Sequence, residues 1–121
     1  MNSLTDIEIK ELTLRAEEIR ESIVNMLVNA GSGHTAGPLG LTDIFTLLYF
    51  RVLKHDPKNP DWKGRDRLIL SKGHASPGLF SNLAVAGYFD KSEIETLRKF
   101  ESRLQGHPDF KCPGVEFCGG S

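Results

Sequence analysis

Three glycine–histidine pairs, Gly33-His34, Gly73-His74 and Gly106-His107, lie in three separate turn-like segments of a 121-residue chain. An imidazole on a turn can exchange protons near neutral pH, and a neighbouring glycine lets backbone come close to a ligand. Three such turns predict a polar site assembled from distant segments. The Gly-rich end, Cys118-Gly119-Gly120-Ser121, runs into the same site. The chain is expected to stop inside it.

The segment from Arg67 to Ser76 carries the most specific local chemistry. A strand over Leu68-Ile69-Leu70, then Lys72-Gly73-His74, then a helix opened by Ser76 places ligands at the carboxyl end of a strand. The free N–H groups of that helix suit a phosphate, with Lys72 and His74 as added donors. Taken alone, the same stretch is equally an ordinary strand-to-helix turn. By itself the His34 loop reads as an interhelical turn, and Gly106-His107-Pro108-Asp109 as a simple turn. His55 precedes Asp56-Pro57 in a polar connection and is read as surface. His107, Cys112 and Cys118 match no short-spaced zinc pattern and lack a fourth ligand, so no metal site is assigned. Neither cysteine is paired with a base by any nucleophile signature.

The elements that position these turns are mostly helical. Thr5 with Glu8 makes a capping box, Leu4 and Ile9 a staple, and Leu12, Ala16, Ile19, Ile23, Met26 or Leu27 and Ala30 recur at helical spacing. Gly31 is the stop. Gly31 to Pro38 is too rich in glycine for regular structure. About Leu41 to Lys54 is helical and apolar nearly all round, which predicts burial on every side. After a surface connection over 55–66 comes the lone strand, then a helix from Ser76 (cap) and Pro77 to about Ala86. A second capping box, Asp90 with Glu93, opens a helix to about Phe100. One strand makes no sheet, so its partners are expected in sequence outside this chain.

Composition excludes several classes. With 15 basic and 16 acidic residues the net charge is -1, which leaves no electrostatic footprint for nucleic acid or an anionic membrane. No apolar run approaches the roughly 20 residues that span a bilayer. The polar, acidic start is no signal peptide, and two cysteines are too few for a disulfide scaffold, so the cytoplasm is the expected compartment.

Taken together, the segments resemble the N-terminal part of transketolase, a thiamine diphosphate enzyme family. The resemblance rests on Gly31-Ser32-Gly33-His34-Thr35-Ala36-Gly37-Pro38-Leu39-Gly40, Asp66-Arg67-Leu68-Ile69-Leu70-Ser71-Lys72-Gly73-His74-Ala75-Ser76, Gly106-His107-Pro108 and Pro113-Gly114-Val115-Glu116. Their order and separation fit as well, over nearly the whole chain. It is most similar to the split transketolases, whose two halves are separate polypeptides. Deoxyxylulose-phosphate synthase, a sibling, fits Lys72 to Ser76 less well. The implied fold is α/β: the N-terminal, mostly helical portion of a thiamine diphosphate-binding fold, a parallel sheet with helices on both faces. Residues 1–121 would be the diphosphate side of that domain, incomplete and ending before its metal-binding motif.

The resemblance also implies roles. His34 and His107 would be catalytic, His74 and Gly120 would contact the cofactor, and His34, His74 and His107 would contact substrate. The reaction would move a two-carbon ketol unit from a ketose phosphate to an aldose phosphate, in the pentose phosphate pathway. The metal, Mg2+ or else Ca2+ or Mn2+, would be held outside this chain, because the family's Gly-Asp-Gly motif is absent from it. The glutamate that activates the aminopyrimidine belongs to a further domain. A C-terminal subunit, or the remainder of the chain, is therefore the expected partner, in a homodimer or heterotetramer. Alone the chain is expected to be inactive. Two positions depart from the family pattern: Ala36, where glycine is common, and Cys118-Gly119, where small hydroxyl residues are usual. The alternative is a non-catalytic truncated module that docks on a partner chain.

Overall fold

The computed structural model describes residues 3–117. Helix α1 (Asp6–Ala30) begins and ends as its sequence requires. The Thr5 hydroxyl accepts from the Glu8 N–H at 3.1 Å while the Glu8 carboxylate accepts from the Thr5 N–H at 3.2 Å, and Gly31 closes the helix with φ 67°. Its inward face is Ala16, Ile19, Ile23, Met26 and Leu27, all buried.

Two short helices follow, α2 (Ala36–Gly40) and α3 (Thr42–Leu47). The glycine-rich stretch is thus partly helical. Pro38 falls in the first turn of α2, where its missing N–H costs nothing, and the Thr42 hydroxyl donates to its carbonyl at 3.1 Å. From α3 the backbone widens into a single π turn, Leu48–Val52, closed by the Leu53 N–H on the Leu48 carbonyl at 2.7 Å. This region is not buried on every side as its sequence predicts. Phe45 and Tyr49 are buried, but Ile44 and Val52 face solvent.

The fully buried helix is instead α4 (Ser76–Ala86), preceded by a 3-10 turn, Gly73–Ala75. Ten consecutive residues, Ser76 to Val85, are buried. Small side chains make this possible. A Cβ on Gly78 would lie 3.2 Å from the Pro38 Cα, so α2 and α4 meet almost backbone to backbone. Asn82 returns its amide to the Gly78 carbonyl at 2.9 Å, while its Oδ1 and the Ser81 hydroxyl have no partner among the described residues.

Asp90 caps only one turn beyond, by accepting from the Ser92 N–H, and the element it opens is a 3-10 helix, Lys91–Thr96. The second capping box does not close, because the Glu93 carboxylate is taken by Arg103 at 2.6 Å. The chain then loops with left-handed backbone at Arg98 (φ 62°) and Glu101 (φ 64°) instead of continuing to Phe100 as a helix. Among the described residues no strand forms. Leu68-Ile69-Leu70 keeps an alternating pattern, Leu70 buried and Ile69 exposed, without a ladder partner. No described helix is long and apolar enough to cross a membrane.

Exposed ion pairs fasten α1 to its neighbours, Arg20 to Asp43 at 2.6 Å and Arg51 to Glu8 at 2.8 Å, but such pairs contribute at most about 1 kcal/mol each. Burial dominates. Replacement of the fully buried Ile23 by Ala should therefore cost about 2–5 kcal/mol, and Ile44→Ala no more than about 0.5 kcal/mol, in urea unfolding.

Candidate functional site

The three imidazoles expected from the three turns meet. His74, on the 3-10 turn ahead of α4, stands in the middle of the row. His34 lies edge-on to it with ring centroids 4.7 Å apart, and His107 edge-on from the other side at 4.6 Å. All three residues are exposed, so the row opens to solvent, while the Nδ1 side of His107 lies against Gly73. A row of this kind can hydrogen-bond hydroxyls and exchange protons with them.

Each member is set by a different feature of the fold. His34 follows Gly33, which adopts φ 127° and lies so close to Leu27 that a Cβ there would fall 2.5 Å from its Cδ2. That seats the turn on the end of α1. His74 is set by the short 3-10 turn between Leu70 and the buried helix. His107 packs flush on Gly73, where a Cβ would fall 2.2 Å from Nδ1. The Ser76 hydroxyl donates to the Gln105 and Gly106 carbonyls at 3.1 and 2.9 Å. Ser76 was expected to cap α4, yet Ala75 holds the cap position and the hydroxyl serves this neighbouring turn.

The space among these groups is small. A dimple bounded by Gly33, His34, His74, Ser76, Arg98 and Gly106 measures about 10 Å3, the room of one water molecule. A wider groove of about 390 Å3 runs between α1 and α3, past Leu12, Ala16 and Thr46, and holds no imidazole. The row is thus one wall of a site and not an enclosing pocket.

Other expectations are corrected. The first turn of α4, Ser76 to Gly78, is buried against α2, so the helix end on which an anion was expected is covered. The Lys72 side chain lies along Gly37, whose Cβ would be 3.8 Å from Nζ. His55 is no surface residue. Its Nε2 donates to the Tyr49 carbonyl at 2.6 Å, which leaves Nδ1 to accept from the Tyr88 hydroxyl at 2.7 Å, and the ring stacks on Tyr88. It pins the connection after α3 to the end of α4. Its sequence gave no sign of this, because Tyr88 lies 33 positions further along the chain.

Cys112 is 1% exposed, and no group of three potential metal ligands occurs among the described residues. Gly120 and Cys118 lie outside the described residues. One contact near the site was missed altogether. Arg65 forks onto the Glu116 carboxylate with two 2.7 Å hydrogen bonds, tying the chain before Leu68 to the segment that leads toward Gly120. Opposite charges 51 positions apart gave no signal in one sequence.

The described residues thus present a mostly helical wall on which three imidazoles converge, with no strand among them. The sequence profile of the transketolase thiamine diphosphate-binding domain matches residues 12–121, and the chain belongs to that family. It is 38% identical over 112 residues to the 6-deoxy-6-sulfo-D-fructose transketolase subunit SqwG of Clostridium sp. (strain MSTE9), covering 92% of this chain and 41% of that subunit. It is 42% identical over 103 residues to the transketolase of Treponema pallidum, covering 84% of this chain and 16% of that protein. The crystal structure of Campylobacter jejuni transketolase superposes with a TM-score of 0.84 at 40% identity, over 99% of this chain and 18% of that one. The chain therefore has the fold of the matching stretch of transketolase and spans less than half the length of these relatives.

Two measurements check this geometry. Gly73→Ala should push the His107 ring off its seat and abolish its ring-to-ring contact with His74 in NMR, while the His34–His74 contact persists. Burial pushes the Cys112 thiol up to about 12 from an ordinary value of 9.0. The unfolded thiol loses its proton first, so this group makes stability fall as pH rises from about 9 toward 12. Alkylation of Cys112 at pH 8, followed by peptide mass spectrometry, should accordingly proceed only as fast as the chain opens.

Proposed function

We propose that this chain supplies the diphosphate-side wall of a transketolase active site, and that the assembled enzyme transfers a two-carbon ketol unit from a ketose phosphate to an aldose phosphate. The observation that carries this reading is the convergence of His34, His74 and His107, 73 positions apart end to end, into one exposed edge-to-edge row within a member of the family. In this reading His74, with the Gly120 backbone, faces the cofactor. His34 and His107 hold and return protons at sugar hydroxyls, a role for which an imidazole, able to donate and accept a proton, is suited. All three rings contact substrate.

Thiamine diphosphate, when bound, supplies the electron sink for carbon–carbon bond cleavage. The residues present fit it as one face only. The imidazoles are accessible to it, but the roughly 10 Å3 dimple is far below the about 300 Å3 or more that small-molecule sites enclose. The opposite face, the Mg2+ (or Ca2+ or Mn2+) ligands and the sheet partners of Leu68 to Leu70 then come from sequence outside residues 1–121. Residues 1–121 accordingly form part of the binding domain, and the chain alone is inactive. The partner is a C-terminal transketolase subunit or the remainder of a longer chain, assembled as a homodimer or heterotetramer in the cytoplasm. The pathway is the pentose phosphate pathway.

Calorimetric titration with thiamine diphosphate and magnesium tests this reading. Binding should appear only when a C-terminal transketolase part carrying the metal motif is added, and should be lost in His74→Ala. In that mixture His34→Ala and His107→Ala should each lower kcat by about 10²–10⁴-fold. An absence of binding with a competent partner and a folded chain would instead favour a non-catalytic docking module.

A further inference from the structure

We infer that Ser76 is a positioning residue for His107, acting through the backbone of the turn that carries this imidazole. The inference rests on the reading above only where it concerns turnover. Ser76 is the first residue of α4 and has no solvent exposure. A serine there would ordinarily satisfy its own helix. Its hydroxyl instead reaches 29 and 30 positions along the chain, to the carbonyls of Gln105 and Gly106, at 3.1 and 2.9 Å. These are the two peptide units immediately before His107.

The turn is also fixed by the Gln105 side-chain amide, which donates to the Lys99 and Ser102 carbonyls at 3.2 and 2.8 Å, and by the buried Leu104 and Pro108, but the Ser76 hydroxyl is the contact that ties its backbone to α4. Residues 105–107 belong to no helix or strand, and the exposed His107 side chain makes no hydrogen bond among the described residues. The ring is located by the backbone that Ser76 grips, by the flat face of Gly73 on which it rests and by its edge-on contact with His74. His74 and Gly73 share the 3-10 turn Gly73–Ala75, and Ser76 follows it as the first residue of the deeply buried α4. One short stretch, 73–76, therefore carries one imidazole of the row and sets the place of the next. Loss of the hydroxyl removes a donor from two partly buried carbonyls and frees the His107 turn to move, while the seat of His34 on α1 is untouched.

The test compares Ser76→Thr with Ser76→Val. The two side chains have nearly the same shape, so they crowd the buried site alike and differ in the hydroxyl. The His74–His107 ring contact in NMR should survive in the Thr variant and weaken at least threefold in the Val variant. The His34–His74 contact should persist in both. Ser76→Ala, which crowds nothing, provides the same comparison against the native chain should either larger residue prevent folding. Equal ring contacts with and without the hydroxyl would overturn the inference.

In the enzyme reconstituted with its C-terminal part, kcat should fall about tenfold in Val relative to Thr, with KM for the ketose changing less than twofold, because a misplaced reacting group slows the chemical step. A weakened contact with unchanged turnover would uphold the positioning role and overturn the catalytic reading of His107.

Discussion

Helix α4 has no face for solvent, and the rest of the described chain is arranged to cover it. Its ten buried residues meet α1, α2, α3 and the Lys91–Thr96 turn, with Phe80 and Leu83 at no exposure. A helix about 16 Å long offers roughly a full cylinder of surface to cover. Helices provide part of that cover, and irregular segments the rest. This is why the short α2 is pressed against Gly78 and why Leu97, Leu104, Cys112 and Val115, all from irregular segments, are drawn into the core. The site follows from the same constraint. Turns that reach the N-terminal end of α4 to complete its cover bring their histidines with them.

The periodicity of α1 was legible because it is long, capped and one-sided, so that sequence pattern, capping and burial all say the same thing. The all-round burial expected of the 41–54 helix falls to the 76–86 helix instead, for a reason that hydrophobicity does not contain. The first is richer in large apolar side chains, yet Ile44 and Val52 are exposed. The second holds Ser76, Gly78, Ser81, Asn82 and Ala84, and it is buried because small residues let neighbouring backbones close in. Bulk raises the gain from burial, but small size decides which helix can be approached from all directions. The strand over Leu68 to Leu70 was readable as a pattern but is not a strand within this chain, since a ladder is a property of two segments and not of one.

The three Gly-His pairs pointed to imidazoles that the fold brings together, whereas the contacts that organise them were invisible in one sequence. Ser76 with residues 105 and 106, Arg65 with Glu116 and His55 with Tyr88 all join positions about 30 or more apart. Polar residues of this kind have many potential partners, and only the packed fold selects among them. The local reading of Ser76 as a helix cap failed for that reason. The helix start is buried, and the hydroxyl there is worth more to two carbonyls with few other donors than to its own N-terminal turn.

The glycines beside the histidines also act differently from their first reading. Glycine on a turn was expected to let a ligand approach the backbone. At Gly33 and Gly73 the space of the missing Cβ is already filled, by Leu27 in one case and by the His107 ring in the other. No ligand can use it. The glycine allows the protein to approach itself, and the result is an imidazole held against a wall of backbone instead of on a free loop. A proton-exchanging group gains from this, because an imidazole that must find its place at each encounter loses rate to disorder, while one seated on a buried helix does not. The wall gains nothing in enclosure, since the groups remain exposed on one side. Under the proposed function, accurate placement and an open face belong together: rigidity must come from within, and access must be left to the part proposed to complete the site.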